Sequence, residues 1–158
     1  MIWIVALILS IIFVEDLLHR EVHWFLFPVL LGSVLLTYAD DIVVMELLYS
    51  VLLLVILLGG LTLYLFVRNG ALVNPLNGYF SLGDVLFLLA LIPAFGTKSY
   101  LLFFIGGTIL TLLIYGLTSL IKEQKTIPYA GYMALVSIPV LFFRTEFNQL
   151  IDTIYGVN

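Results

Sequence analysis

The amino-acid sequence predicts an all-α membrane protein: a six-transmembrane-helix bundle with a short C-terminal interfacial helix, in a single domain over residues 1–158. The first observation behind this prediction is composition. The chain is 63% hydrophobic and 10% charged, with a mean hydropathy of +1.23, well outside the range of soluble domains. The second is pattern, because the apolar residues fall into runs that approach the roughly 20 residues needed to cross ~30 Å of hydrocarbon.

Six apolar runs define the predicted spans, at residues 1–18, 22–39, 42–67, 83–95, 100–121 and 128–143. The fourth run is short, and it approaches a spanning length only if residues 79–82 extend it. Pro128 begins the sixth run, at a first-turn position that proline favours, and Pro139 predicts a kink within it. After Arg144, apolar residues recur at helical spacing with polar residues between them, a pattern typical of a helix lying on the membrane surface.

The basic residues predict the orientation of the bundle. With six spans, the connections after the first, third and fifth lie on one side of the membrane and carry Arg20, Arg68, Lys122 and Lys125. By the positive-inside rule this side is cytoplasmic, so both termini are expected outside. The first run lacks the basic start and small-residue cleavage site of a signal peptide, and we expect it to be retained as a span.

Charge and cysteine content exclude several classes of function. The net charge is −4 and no basic stripe is present, which argues against nucleic acid as a partner. Because cysteine is absent, neither a disulfide framework nor a thiolate metal site can form.

Two aspartates, Asp16 and Asp84, lie at the edges of apolar runs, where an ionisable side chain is by default a functional hypothesis. The predicted topology places both on the cytoplasmic side. Two carboxylates that share a site can hydrolyse a peptide bond, one polarising the carbonyl and the other activating water. Spacing alone favours structural roles instead: Asp16 could pair with Arg20, four residues later, and Ser81 with Asp84 has the spacing of a helix capping box.

A metal site is the alternative chemistry. His19 and His23 follow Asp16 by three and seven residues, so a continuous helix would present one carboxylate and two imidazoles on one face. No further cluster of strong ligands occurs in the sequence. We therefore predict no metal and no cofactor.

The segments around the two aspartates carry a family resemblance. Residues 16–22 are an aspartate at the end of an early span, followed by polar and basic residues, with His23 next. The second segment, residues 81–86, contains Gly83 directly before Asp84. Both segments resemble the active-site motifs of the type IV prepilin peptidases, which are GxGD-type intramembrane aspartyl proteases.

The resemblance extends over the whole chain in order and spacing. Residues 125–132 are similar to the basic and Ile-Pro-Phe start of the last span in that family. Three positions differ from the family pattern: His23 stands where proline is usual, Ser81 replaces the first glycine of G-x-G-D, and Leu86 replaces a lysine.

The resemblance implies an aspartic endopeptidase of the cytoplasmic membrane that serves type IV pilus assembly or protein secretion. It would remove the leader peptide of pilin-, pseudopilin- or archaellin-like precursors at the cytoplasmic face. Its partners would be these membrane-protein substrates and the lipid bilayer. Asp16 and Asp84 would be catalytic, with substrate-binding or supporting roles for Gly83, Ser81, Arg20 and Pro128. Methyl transfer, which many relatives perform through an extra loop with paired cysteines, is not expected.

The neighbouring Glu15 is a rival for the first catalytic position. Adjacent helical residues point about 100° apart, so only one of Glu15 and Asp16 can face the bundle centre. The motif register favours Asp16. We expect Glu15 to face headgroups or the basic leader of a substrate.

Two further expectations concern activity. The differences at His23, Ser81 and Leu86 leave open a catalytically inactive homologue that acts as an assembly scaffold, or a small transporter with the aspartates as ion ligands. For an active enzyme, helix direction predicts the roles. Asp16 lies at the negative, C-terminal end of its span and would be protonated, whereas Asp84 lies in the first turn of its span and would be ionised and activate water.

Overall fold

The computed structural model describes residues 1–69, 81–119 and 127–155, and within these ranges the chain is helical with no strand. The all-α class predicted from the sequence is confirmed. The described helices are α1 (Ile2–His19), α2 (Leu26–Thr37), α3 (Val44–Asn69), α4 (Leu82–Leu91), α5 (Thr97–Ser119), α6 (Tyr129–Phe142) and α7 (Arg144–Ile154). Short 3₁₀ turns at Ala39–Asp41 and Ile92–Ala94 precede α3 and follow α4.

Three helices, α1, α3 and α5, are long and apolar enough to cross a membrane. Few of their residues are buried within the protein: 28%, 12% and 17% of the most apolar stretch of each helix, respectively. So much exposed apolar side chain on long helices is typical of lipid contact. By length and composition, the described residues therefore contain three candidate membrane spans, the pattern typical of a membrane protein.

The other predicted spans correspond to shorter or broken helices. The second predicted span contains α2, of 12 residues, and the fourth corresponds to an apolar helical segment at Leu82–Ala94. Helices α6 and α7 qualify together as a fourth candidate span only if a bend of 86° between them is accepted. The count of six spans stays a prediction.

The sharp bend near the C-terminus does not lie at Pro139, where the sequence predicts a kink. Helix α6 continues through Pro139 to Phe142, and the chain turns at Phe143, whose N–H donates to the Pro139 carbonyl (2.9 Å). The C-terminal segment contains helix α7 (Arg144–Ile154). Its position on a membrane surface stays a prediction.

The core lies among α1, α2, α4 and α6. Helix α1 packs most extensively against α6, α2 packs against α1 and α4, and α5 packs against α6 and adds the buried Tyr100 and Phe103 to the core. The largest wholly buried side chains include Leu9, Ile12, Leu30, Phe87, Leu88, Tyr100 and Met133. The predicted basic residues Lys122 and Lys125, and the loop before Ser81, lie outside the described residues. The structure thus positions the N-terminal ends of α4 and α6 beside the C-terminal end of α1.

Candidate active site

The two predicted catalytic aspartates meet at the beginning of α6. Asp16, in the last turn of α1, is 9% exposed, and its Oδ2 accepts a hydrogen bond from the backbone N–H of Gly131 (2.6 Å). Asp84, in the first turn of α4, is 8% exposed, and its Oδ1 accepts one from the N–H of Ala130 (3.1 Å). The fold therefore brings together two side chains that are 68 positions apart in the sequence.

The two carboxylates are close as well as convergent. Their donors are consecutive backbone amides, which are separated by no more than about 3.8 Å. The bonded oxygens of Asp16 and Asp84 are therefore at most about 9.5 Å apart. The carboxylates of an aspartyl dyad are about 3 Å apart, a separation that lies within this limit.

Both aspartates supply what the beginning of α6 lacks. The first amides of a helix have no partner within the helix, and the residue before α6 is Pro128, whose side chain makes no capping hydrogen bond. The carboxylates from α1 and α4 accept from the amides of Ala130 and Gly131 instead, at the positive end of the helix. Pro128, predicted as a supporting residue, marks the position at which α6 starts.

Gly131 permits the close approach of α1 to α6. A Cβ atom at this position would lie 3.0 Å from both Cβ and Oδ2 of Asp16, and 3.3 Å from the carbonyl oxygen of Phe13. These separations are shorter than ordinary contacts, so a side chain at residue 131 would displace either Asp16 or α1. Glycine is therefore a condition for the observed position of Asp16.

Ser81 holds Asp84 through the capping box that the spacing predicts. The N–H of Ser81 donates to Oδ2 of Asp84 (2.8 Å), and the N–H of Asp84 donates to Oγ of Ser81 (3.1 Å). Both oxygens of Asp84 thus accept backbone amides, which fixes the orientation of the carboxylate.

Gly83 lies against α2. A Cβ atom here would be 3.4 Å from the ring of Phe27 and 3.4 Å from Oγ of Ser81. Both separations are ordinary van der Waals contacts, so the first turn of α4 can pack on α2 without a glycine at this position, and the supporting role of Gly83 stays a prediction.

The histidine face of the alternative metal site is not formed, because α1 does not continue to His23. Arg20 adopts a left-handed conformation (φ 61°) and its N–H donates to the Asp16 carbonyl (3.1 Å), which ends the helix. His23 contacts Glu15 instead, with Nδ1 3.0 Å from Oε1 and the backbone N–H donating to Oε2 (3.1 Å). Among the described ranges, no group of three or more His, Asp or Glu side chains could hold a metal ion.

Arg20 and Glu15 lie at the edge of the site. Arg20 directly follows the last turn of α1, four residues after Asp16, and its predicted substrate-binding or supporting role stays a prediction. Glu15 engages the connection between α1 and α2 through His23, where the sequence predicts contact with headgroups or substrate.

The residues that sequence reasoning missed are Ala130 and Gly131, which act through their backbone amides. The sequence feature that could have indicated them is the start of the sixth apolar run, where Pro128 is followed by a glycine in the first turn. Tyr129 in the same turn contacts α5, with its hydroxyl 2.9 Å from Oγ1 of Thr108. This contact ties the beginning of α6 to a third neighbouring helix.

Comparison of the chain with protein-family models, with curated proteins and with solved structures gives no match. What the site can do chemically follows from its own geometry: two buried, oriented carboxylates at a shared helix N-terminus.

Proposed function

We propose that this chain is an intramembrane aspartyl endopeptidase of the prepilin peptidase type. It removes the leader peptide of pilin-, pseudopilin- or archaellin-like precursors at the cytoplasmic face of the membrane. The observation that supports this proposal most is that the two aspartates converge on consecutive backbone amides. Asp16 accepts from the N–H of Gly131 (2.6 Å), and Asp84 accepts from the N–H of Ala130 (3.1 Å). A shared site for two carboxylates is what aspartyl proteolysis requires.

The proposed reaction needs only the dyad and water. The protonated carboxyl donates a hydrogen bond to the scissile carbonyl, and the ionised carboxylate takes a proton from the attacking water. The water oxygen bonds to the carbonyl carbon, the C–N bond then breaks, and the departing amine receives a proton from the dyad. Water supplies all the atoms that the products gain.

The surroundings of the dyad favour Asp84 as the base. Its two oxygens accept backbone N–H groups from Ser81 and Ala130, and such donors stabilise the anion. Asp16 accepts one described amide bond, at Oδ2, so Oδ1 can carry the proton. The amide of Gly131 also favours the anionic form of Asp16, a contribution absent from the sequence-based assignment, which considered only the helix to which each aspartate belongs.

The location of the proton is measurable. Isotope-edited infrared spectra at the activity optimum should contain a protonated carboxyl band that Asp16→Asn removes and Asp84→Asn retains. The opposite pattern would reverse the assignment of acid and base.

The proposed membrane arrangement has six spans with the dyad at the cytoplasmic edge. The short helix α2, the segment Leu82–Ala94 and helix α6 would complete the bundle beside the three candidate spans. The chain termini would then be outside, as the basic residues predict.

A purely structural role of the aspartates is the competing candidate. The observation in its favour is that the capping box and the amide of Ala130 together use both oxygens of Asp84. In that case the side chains would join α1, α4 and α6 without chemistry, as in an inactive scaffold.

Co-expression with tagged prepilin-like precursors separates the two candidates. The wild-type chain should shorten a precursor on an immunoblot, with the new N-terminus identified by mass spectrometry, whereas Asp16→Asn and Asp84→Asn should not. Asp40→Asn, a substitution of an exposed aspartate in the connection before α3, is the matched control and should process normally. Processing by either dyad variant would contradict the proposal. So would a wild-type chain that processes no precursor of this class.

A further inference from the structure

A second candidate site lies at the other end of the bundle. A cavity of about 620 Å³ is bordered by the start of α3, the connection between α4 and α5, and the start of α7. Helix α6 runs from the dyad at its N-terminal end toward this cavity at its C-terminal end. Its 14 residues separate the two regions by roughly 20 Å at 1.5 Å per residue, so the cavity is not part of the proposed active site.

Hydrogen bonds hold the walls of the cavity in place. The guanidinium of Arg144 donates from Nε to the carbonyl of Ala94 and from Nη1 to Oδ2 of Asp41, both at 2.6 Å. Across the cavity, Oγ of Ser99 donates to Oδ1 of Asn148 (2.8 Å). Three connections are thereby tied together, and the cavity is preformed, as ligand sites usually are.

Two charged side chains of opposite sign line the cavity without an ion pair to any described residue. They are Lys98 and Glu46, and both are exposed. Lys98 is in the first turn of α5, where unpaired amides favour an anion. Its ammonium lies over the ring of Tyr155, 5.2 Å from the centroid. The carboxylate of Glu46 lies beside Gly96 and offers an acceptor to a cation. The cavity is therefore suited to a zwitterion.

The cavity also lies at the edge of the apolar region. The N-terminal ends of α3 and α5, two of the candidate spans, contribute to its wall. Val43 and Tyr49 line it as well and are each 53% exposed, so apolar surface continues from the cavity along α3. A ligand with a charged head and apolar chains fits both parts.

We propose that this cavity binds the headgroup of a phosphoethanolamine phospholipid. The phosphate lies at Lys98 and the beginning of α5, and the primary ammonium donates to Glu46. A carboxylate acceptor selects a primary ammonium over a trimethylammonium, which has no N–H to donate. This inference does not depend on the proposed peptidase activity.

Native mass spectrometry of the full chain in detergent tests the proposal, with dioleoyl phosphatidylethanolamine, phosphatidylcholine and phosphatidylglycerol as probes. The ethanolamine lipid should bind at least about fivefold more tightly than the other two, and Lys98→Gln and Glu46→Gln should each weaken it by about fivefold, the effect of one exposed charge pair. Arg68→Gln and Glu21→Gln, substitutions of exposed charges away from the cavity, are the matched controls and should bind as the wild type does.

Three outcomes would overturn the proposal. Equal binding of the three lipids would mean that the headgroup is not recognised. Unchanged binding of the ethanolamine lipid by Lys98→Gln or by Glu46→Gln would contradict recognition of the headgroup by two charges. Competition by free phosphoethanolamine at the same concentration as the lipid would assign the cavity to a water-soluble ligand instead.

Discussion

Replacing Gly131 with alanine is expected to push α1 away from α6 and to displace Asp16. The added Cβ would lie 3.0 Å from Cβ and Oδ2 of Asp16, whereas carbon atoms in good contact are about 3.5–4.0 Å apart. Relief of this contact requires a movement of about 0.5–1 Å. Overpacking of this kind costs typically about 1–3 kcal/mol of folding free energy.

The same movement should impair catalysis more than folding. A misplacement of about 1 Å can reduce a rate by about 10²-fold, because Asp16 would no longer be held at the amide of residue 131. We therefore expect Gly131→Ala to remain in the membrane but to process a precursor about 10²-fold more slowly. Initial rates on a purified precursor in detergent, together with thermal melting of the same samples, measure both effects.

Gly106→Ala provides the matched control. Gly106 lies within α5, and a Cβ atom there would have no neighbour within 4 Å, so the substitution should gain helix propensity of up to about 1 kcal/mol without a packing cost. The difference between the two variants isolates the contact with Asp16. Equal melting temperatures and equal rates for Gly131→Ala and Gly106→Ala would refute the described contact between α1 and α6.

Three further predictions concern the dyad, metal ions and topology. Asp84→Asn should destabilise the fold by about 1–3 kcal/mol, because a side-chain amide has only one oxygen and cannot replace both acceptors of the carboxylate. Asp16→Asn retains one acceptor and should melt close to the wild type. Equal losses of folding stability in the two variants would contradict the bonding pattern. Processing should survive EDTA and His23→Ala, and activity restored by added zinc would instead indicate a metal enzyme. A cysteine at Asn74 should react with an impermeant maleimide only after the cytoplasmic face is opened, and one at Asp40 should react in intact cells; the reverse labelling would show that the orientation is wrong.

The sequence predicted the features that depend on local pattern. The helical class, the position of α1 and the capping box of Ser81 and Asp84 all follow from spacing within one segment, and the structure contains them. The importance of Asp16 was also visible, because a carboxylate at the edge of an apolar run is costly unless it has a partner.

The partners of the aspartates were not predictable from the sequence, because they are backbone amides of another helix. Nothing in the side chains of Ala130 and Gly131 indicates that their N–H groups face two carboxylates. The bend at Phe143 was missed for a related reason: the position of the turn depends on contacts made after it, such as that of Arg144 with Ala94, and not on the nearby proline alone.

The shared N-terminus of α6 bears on how this architecture could change over evolutionary time. Since the carboxylates of Asp16 and Asp84 complete the hydrogen bonding of a helix that has no cap of its own, selection for folding alone would retain a hydrogen-bond acceptor at both positions. If the proposed peptidase activity were lost in a descendant, Asp84 would therefore persist, whereas position 16 could change to asparagine, which preserves the acceptor and abolishes the acid.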